Sequence, residues 1–378
     1  MATTCRAGRL EIYTHALRST ILGRRFATES SAFVWEISGG VGLTPDQSRT
    51  ERARGCLLGQ LAGDALGSAV EFKDSSDIAD AYPEGVRHLK DGGTWNLIAG
   101  QPTDDSEMAL ALARSLAAAG KYERRQVAEA YIRWWRSEPF DIGMTTATGI
   151  EALARGRRVT SGSQANGALM RISPVGIFAA GDPARAASIA ARDALLTHPH
   201  PVCQAANAAY AAAIAVGVAG GDRAEMWQAA FDFSAAGSAY RSGAEPIRAR
   251  LEAARSGPPE EYQSQMGWVL TAFQNAFFLL LSDLSLEDAV VWTVGCGGDT
   301  DTNAAIAGAL IGALQGELAF PSQWRDTVLS CRPDADSGTA HPRPEEYWPV
   351  DAFDLADRLV VAGLVQQDHS RYRWNVKT

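Results

Sequence analysis

The chain has 378 residues, of which 46% are hydrophobic and 21% are charged, so it can bury a large core without disulfides to hold it together. Its net charge of −9 argues against nucleic acid as the main partner, because a phosphate backbone requires a basic surface, and a small-molecule or protein substrate is expected instead. No apolar run approaches the roughly 20 residues that span a membrane, and five widely spaced cysteines without a CxxC pair favour a reducing cytoplasm over a disulfide framework.

The first 50 residues differ from the rest of the chain. They lack its alanine-rich helical periodicity and end in the loop-like stretch SGGVGLTPDQS, which predicts a boundary near Ser48. We therefore expect an N-terminal extension, residues 1–50, and a domain over residues 51–378. The extension is compatible with an organellar transit peptide, a structured or partner-binding arm, or a loose tail, although its three glutamates weaken the first interpretation.

From Glu51 onward the sequence predicts one helix after another. Apolar residues recur at three- and four-residue steps, Gly, Pro and Asp mark the turns, and no convincing alternating strand is found. No fixed-period repeat is present, which argues against a solenoid. These patterns predict a compact, all-α single domain.

The first predicted helix of this domain is unusually rich in glycine. Its glycines recur at every fourth position: Gly55, Gly59, Gly63 and Gly67. Each costs roughly 1 kcal/mol against alanine inside a helix, so some interaction must offset the loss. Close packing against another helix is one explanation, and a second series offers a matching face: Gly308, Gly312 and Gly316. Close approach of the backbone to a ligand is the other.

The same helix carries Asp64, and the segment ends in Glu71. An acid near the C-terminal end of a helix is disfavoured by the helix dipole, which invites a functional explanation. A solvated helix end remains the simpler alternative.

A first acidic motif follows in GQPTDDSEM, where Thr103, Asp104 and Asp105 precede a strongly helical run. Taken alone, this motif is most simply a helix N-cap, with Asp104 as the cap residue and Glu107 completing a capping box.

A second acidic motif, GGDTDTN, repeats the arrangement nearly two hundred residues later with Asp299, Asp301 and Thr302. One cap does not need several neighbouring carboxylates, since like charges repel. Two such helix starts brought together would gather four carboxylates and two hydroxyls, a cluster that requires cations. Oxygen ligands suit Mg²⁺ or Mn²⁺, and the lack of nearby Cys or His argues against zinc.

These motifs together resemble the ADP-ribosylglycohydrolase family over roughly residues 51–365. The resemblance rests on GCLLGQLAGDALGSAVEF, PTDDSEM, NGALMRISPVG, THPHP and GCGGDTDTNAAIAGALIGALQG, in the family's order. The family more often has TDDT where this chain has TDDS, and Ser106 keeps the hydroxyl.

The resemblance implies an all-α fold around two divalent cations, Mg²⁺ or Mn²⁺. The implied ligands are Thr103, Asp104, Asp105, Asp299, Asp301 and Thr302. ADP-ribose would lie in a cleft over the metals, and the positions assigned to its binding are Asn166, Gly167, Met170, His198 and Gly298. A separate metal site at His198 and His200 is an alternative, weakened by the flanking prolines.

The implied activity is the metal-dependent removal of ADP-ribose from modified protein side chains, which could reverse a toxin's modification. Arginine is the first choice of acceptor, and serine linkages and ADP-ribosyl esters are the alternatives. A carboxylate must assist by proton transfer, and the sequence leaves both Glu71 and Asp105 as candidates.

Two further hypotheses belong to other functional classes. Some family members resemble immunity proteins, and residues 1–50, which contain Tyr13, Phe33 and Trp35, could bind and block an ADP-ribosylating toxin. The chain could also be a catalytically silent structural relative, although its intact acidic motifs argue against that interpretation.

Overall fold

The computed structural model describes residues 46–375, and the side chains of residues 46–366. These residues form fifteen α-helices and no β-strand, as the sequence predicts for an all-α fold. The first eight helices are α1 (Gln47–Gly67), α2 (Ser75–Ala81), α3 (Asp104–Ala119), α4 (Arg124–Arg136), α5 (Met144–Ala154), α6 (Ser173–Phe178), α7 (Pro183–Ala194) and α8 (Pro201–Val218). The others are α9 (Arg223–Phe233), α10 (Ala244–Ala254), α11 (Val269–Leu281), α12 (Leu286–Gly295), α13 (Thr300–Gln315), α14 (Ser322–Ser330) and α15 (Ala352–Asn375).

The predicted boundary near Ser48 falls inside α1, which begins at Gln47 behind an Asp46 cap. Residues 47–50 are therefore part of this helix. The remainder of the predicted extension, residues 1–45, lies outside the described residues.

Helices α1 and α13 pack antiparallel along their glycines. A Cβ atom added at Gly59 would lie 2.1 Å from the carbonyl oxygen of Gly308, and one added at Gly55 would lie 2.6 Å from that of Gly312. At the other end of α1, a Cβ at Gly67 would lie 2.5 Å from the Cα of Asp301. The predicted glycine-to-glycine helix packing is thus confirmed, and it brings the end of α1 against the beginning of α13.

Helix α8 is the apolar centre of a second group of helices. It packs against α7, α9 and α13, and Tyr210 on α8 donates a hydrogen bond to the carbonyl of Ile306 on α13. By length and composition α8 could span a membrane, the one described helix of which this is true, but 89% of it is buried inside the protein. Burial of this kind is typical of a core helix.

Candidate metal centre and substrate cavity

Asp64, at the end of α1, caps a different helix. Its carboxylate accepts hydrogen bonds from the Thr103 backbone N–H at 3.1 Å, the Thr103 hydroxyl at 2.8 Å and the Ser106 N–H at 3.1 Å. These groups form the first turn of α3, whose N–H groups lack partners within the helix. Asp64 therefore fixes the start of the first acidic motif against α1.

The prediction that this motif forms a capping box is wrong. The N-cap residue of α3 is Thr103 rather than Asp104, and its own side chain makes no capping bond. Glu107 instead forms a buried ion pair with Arg343, with N–O distances of 2.8 Å, and accepts a hydrogen bond from the Trp134 indole at 2.7 Å. Since Asp64 supplies the cap from another helix, Asp104 and Glu107 are available for other contacts.

Asp105 links the two acidic motifs. Its Oδ2 atom accepts from the Thr103 hydroxyl at 3.3 Å and from the Thr302 hydroxyl at 3.2 Å, so residues almost two hundred positions apart meet. Its Oδ1 atom is buried and has no hydrogen-bond partner. A buried carboxylate oxygen without a partner is costly, and a cation is the natural partner for it.

The carboxylates form two groups that share Asp301. One oxygen from each of Asp64, Asp105 and Asp301 lies within 4.8 Å of the others, and the same is true of Glu71, Asp299 and Asp301. The donors are all oxygens, which fits hard divalent cations. Two adjacent groups with a common aspartate would be able to hold two cations.

Burial and mutual repulsion raise the pKa values of these acids above their usual range. Burial, followed by the charge of Asp141, raises the pKa of Glu71 to about 8. Burial raises the pKa of Asp64 to about 6, and those of Asp105 and Asp301 well above the usual range. An uncompensated cluster of this kind disfavours the folded state, whereas bound cations would reverse the effect.

A cavity of about 310 Å³ opens above the carboxylates. Its walls contain most of the predicted metal and substrate residues: Glu71, Asp104, Asp105, Asn166, Gly167, Met170, His198, Asp299, Asp301 and Thr302. Two predicted residues are not in the wall. Thr103 is fully buried and hydrogen-bonded to Asp64, and Gly298 is hydrogen-bonded to the turn that follows Glu71.

Gly298 has a structural reason to be glycine. Its φ angle is +77°, and an added Cβ would lie 2.3 Å from the carbonyl oxygen of Tyr262. Its N–H donates to the Lys73 carbonyl at 3.0 Å, and its own carbonyl accepts from the Phe72 N–H at 2.8 Å. Gly298 therefore joins the second acidic motif to the turn after Glu71.

The segment NGALMR forms one wall of the cavity. The Asn166 amide donates to Asp299 Oδ2 at 2.7 Å and thereby orients that carboxylate. A Cβ at Gly167 would lie 2.7 Å from the Thr146 hydroxyl and 3.0 Å from the His198 ring, so only glycine lets the backbone approach these two wall side chains. Arg171, fully buried, donates to the Gly167 carbonyl at 3.0 Å and supports the wall from behind.

His198 is a neutral side chain at the cavity wall. Burial lowers the pKa of His198 to about 3, its Nδ1 lies 2.8 Å from the Thr197 hydroxyl, and its Nε2 is buried without a partner. His200 caps α8 by accepting from the Val202 N–H. Among the described residues neither histidine belongs to a group that could hold a metal, so the alternative histidine site is not supported.

Several cavity residues were not predicted from the sequence. The most important is Asp141, whose pKa burial raises to about 6 and whose charge, after burial, raises the pKa of Asp104. The others are Phe72, Gly143, Met144, Thr145, Thr146, Ala165, Met266 and Gly267. Asp141 lies two residues before the Gly143 cap of α5, so its position at a helix start was the only available signal.

The fold and the site define a helical protein with a carboxylate-rich metal centre beneath a ligand-sized cavity. A family model for ADP-ribosylglycohydrolase matches residues 45–366. The chain belongs to the ADP-ribosylglycohydrolase family, whose members are metal-dependent.

Individual relatives agree with this assignment. The ADP-ribosyl-[dinitrogen reductase] glycohydrolase of Rhodospirillum rubrum is 31% identical over 72% of this chain and 89% of its own. The ADP-ribosylarginine hydrolase Tri1 of Pseudomonas putida (strain GB-1) is 28% identical over 78% of each chain. A solved structure, an ADP-ribosylglycohydrolase-related protein complex, superposes with a TM-score of 0.67 and 26% identity, covering 84% of this chain and 99% of that one.

Proposed function

We propose that this protein uses two divalent cations, Mg²⁺ or Mn²⁺, to remove ADP-ribose from modified arginine side chains of proteins in the cytoplasm. The observation that carries the proposal is the pair of three-carboxylate groups sharing Asp301 at the base of the cavity. Asp105 would hold one cation through its unpartnered Oδ1, and Asp299, oriented by Asn166, would hold the other. Bound cations would polarise ribose or water oxygens.

The acceptor side of the cavity favours a cationic group. Asp141 lines the cavity but belongs to neither three-carboxylate group, and its charge, after burial, raises the pKa of Asp104. A guanidinium is planar and bidentate, and it would neutralise a carboxylate pair of this kind. Relatives named as ADP-ribosylarginine hydrolases support the same choice, although a human relative at 26% identity is named ADP-ribosylhydrolase ARH3.

Glu71 is the better candidate for proton transfer. The Oδ2 atom of Asp105 accepts from the Thr103 and Thr302 hydroxyls, which leaves its Oδ1 for a cation. Glu71 also belongs to a three-carboxylate group, with Asp299 and Asp301. Glu71 lies at the cavity wall beside the exposed Phe72, where it can reach a leaving group or a water molecule. In glycoside-like cleavage, such a carboxyl group donates or accepts the proton as the bond from ribose breaks.

The test follows ADP-ribose release by mass spectrometry from an arginine-ADP-ribosylated protein, beside serine-linked and ester-linked substrates, with chelator, Mg²⁺ or Mn²⁺. Asp301→Asn should lower the rate by at least about 100-fold, since loss of a ligand exceeds the usual effect of its supporting groups. Asp288→Asn is the matched control, because Asp288 pairs with Arg87 at the exposed start of α12. Release without metal, or equal activity of the two variants, would refute the metal centre.

Toxin binding by residues 1–50 remains a prediction, because residues 1–45 lie outside the described part of the chain. It is tested by deleting residues 1–45 and measuring both ADP-ribose release and toxin binding. A shortened chain that binds the candidate toxin as tightly as the full chain would contradict it. If neither form releases ADP-ribose from any linkage, a binding protein or a silent relative becomes the better hypothesis.

A further inference from the structure

The carboxylate of Glu71 is carried by a strained turn. The next residue, Phe72, has a φ angle of +65°, a conformation that is unfavourable for a bulky side chain. The turn is held by the Phe72 N–H bond to Gly298 and the Gly298 N–H bond to Lys73. Backbone contacts to the second acidic motif thus fix the main chain of this turn, but they do not fix the direction of the Glu71 side chain.

Trp95 fixes that direction. Its indole N–H donates to Glu71 Oε2 at 2.6 Å, and the hydroxyl of the adjacent Thr94 donates to the Glu71 carbonyl at 2.9 Å. The Trp95 ring is itself held between Phe72, edge to face at 6.4 Å, and Phe140 at 5.9 Å. A single donor on a rigid, packed ring therefore orients one carboxylate oxygen.

Glu71 requires such a restraint because its neighbours repel it. Its carboxylate lies close to those of Asp299 and Asp301, and Asp141 also carries negative charge nearby. Among the described residues, no lysine or arginine forms an ion pair or a hydrogen bond with Glu71. The Trp95 N–H opposes this repulsion, and a side-chain hydrogen bond with Asp301 acts in the same direction.

We propose that Trp95 is a positioning residue for hydrolysis, acting only through Glu71, an inference that rests on the proposed function. Trp95 does not line the cavity and packs behind Phe72, which does. It keeps the Glu71 carboxylate facing the cavity, where that group transfers a proton. A carboxylate displaced by even about 1 Å would lose much of its effect.

The variant Trp95→Phe separates this role from packing, since it keeps an aromatic ring and removes the N–H. We expect kcat to fall about 10-fold or more, with KM changed less than about 3-fold, because positioning affects the transition state more than binding. Trp348→Phe is the matched control: Trp348 is also half-buried and donates its indole N–H at 2.8 Å, but to the Arg343 carbonyl, and neither residue lines the cavity. Its kinetics should match those of the wild type.

A double-mutant cycle tests the route through Glu71. Adding Trp95→Phe to Glu71→Gln should produce no further loss of rate, because the group that Trp95 orients is already disabled. ADP-ribose affinity, measured by calorimetry, should change less than about 3-fold in Trp95→Phe, together with an unchanged melting temperature. Thr94→Val removes only the hydrogen bond from the Thr94 hydroxyl to the Glu71 main-chain carbonyl. It should lower kcat by a few-fold, and it replaces Trp95→Phe in the test if that variant does not fold.

Three results would overturn the inference: wild-type kcat in Trp95→Phe and Thr94→Val, a further rate loss on the Glu71→Gln background, or a loss of ADP-ribose affinity equal to the loss of rate. The proposed function fails separately, and the inference with it, if the wild-type protein releases no ADP-ribose from any substrate.

Discussion

The contact between α1 and α13 makes a sharp prediction for Gly59→Ala. A Cβ at this position would lie 2.1 Å from the oxygen and 2.4 Å from the carbon of the Gly308 carbonyl. Both atoms belong to the backbone of α13, so no side chain can rotate away. The helices must separate, and their separation would move the first acidic motif and Asp64 away from the second motif.

The expected cost follows from two opposing terms. Overpacking of a tight core costs about 3 kcal/mol when backbone must move, whereas replacing glycine by alanine in a helix regains about 1 kcal/mol. The net loss of about 2 kcal/mol corresponds to a melting temperature about 3 °C lower for a domain of this size. Gly295→Ala is the matched control, since Gly295 is the last residue of α12 and a Cβ there meets nothing within 4 Å.

Thermal unfolding and Mn²⁺ titration of both variants test the prediction. Gly59→Ala should lose stability and bind Mn²⁺ about 10-fold more weakly, because ligands shift relative to each other. Gly295→Ala should be equal to the wild type or slightly more stable. If the two variants have the same melting temperature and the same Mn²⁺ affinity, the glycine contact does not set the geometry of the metal centre.

Two other features lead to measurable expectations. Arg343→Met should lower the free energy of unfolding by about 3–5 kcal/mol in chemical denaturation, because it leaves the buried Glu107 carboxylate without its positively charged partner. Arg125→Met, which breaks the exposed pair of Arg125 and Glu129, should lower it by less than about 1 kcal/mol. Equal losses in the two variants would contradict the argument. Metal-free protein should lose stability as pH rises from about 4 to 8, because the raised pKa of Glu71, about 8, makes the folded state bind more protons than the unfolded state in this window. Saturating Mg²⁺ should abolish or reverse that slope in thermal melts, and a metal-free protein that gains stability over the same range would contradict the assignment.

Much of the fold was readable from local sequence patterns. Three- and four-residue periodicity predicted helices because an amphipathic helix carries its own signature, and four-residue glycine spacing predicted a close helix pair. The meeting of the two acidic motifs was predictable because a helix cap needs only one carboxylate, and additional neighbouring carboxylates repel each other unless a cation binds them. None of the four described cysteines forms a disulfide, as their spacing predicted.

The errors and omissions all involve partners distant in sequence. The cap of α3 comes from Asp64, 39 residues before Thr103, and Glu107 pairs with an arginine 236 positions away. A local pattern such as a capping box cannot show that a remote residue has taken the same role. Asp141 and Trp95 were missed for the same reason, since each reaches the site only through neighbours that folding brings to it.

The glycine contact that holds the core together also assembles the metal centre. Because α1 and α13 run antiparallel, the contact that begins at Gly55 and Gly312 ends at Gly67 and Asp301, where the Thr300 hydroxyl donates to the Gly67 carbonyl at 2.7 Å. The N-terminal ends of α3 and α13 both lie at the carboxylates, and their helix dipoles offset part of the repulsion. Substitutions along this contact should therefore reduce stability and metal affinity together, whereas those at the Glu107–Arg343 pair should reduce stability first.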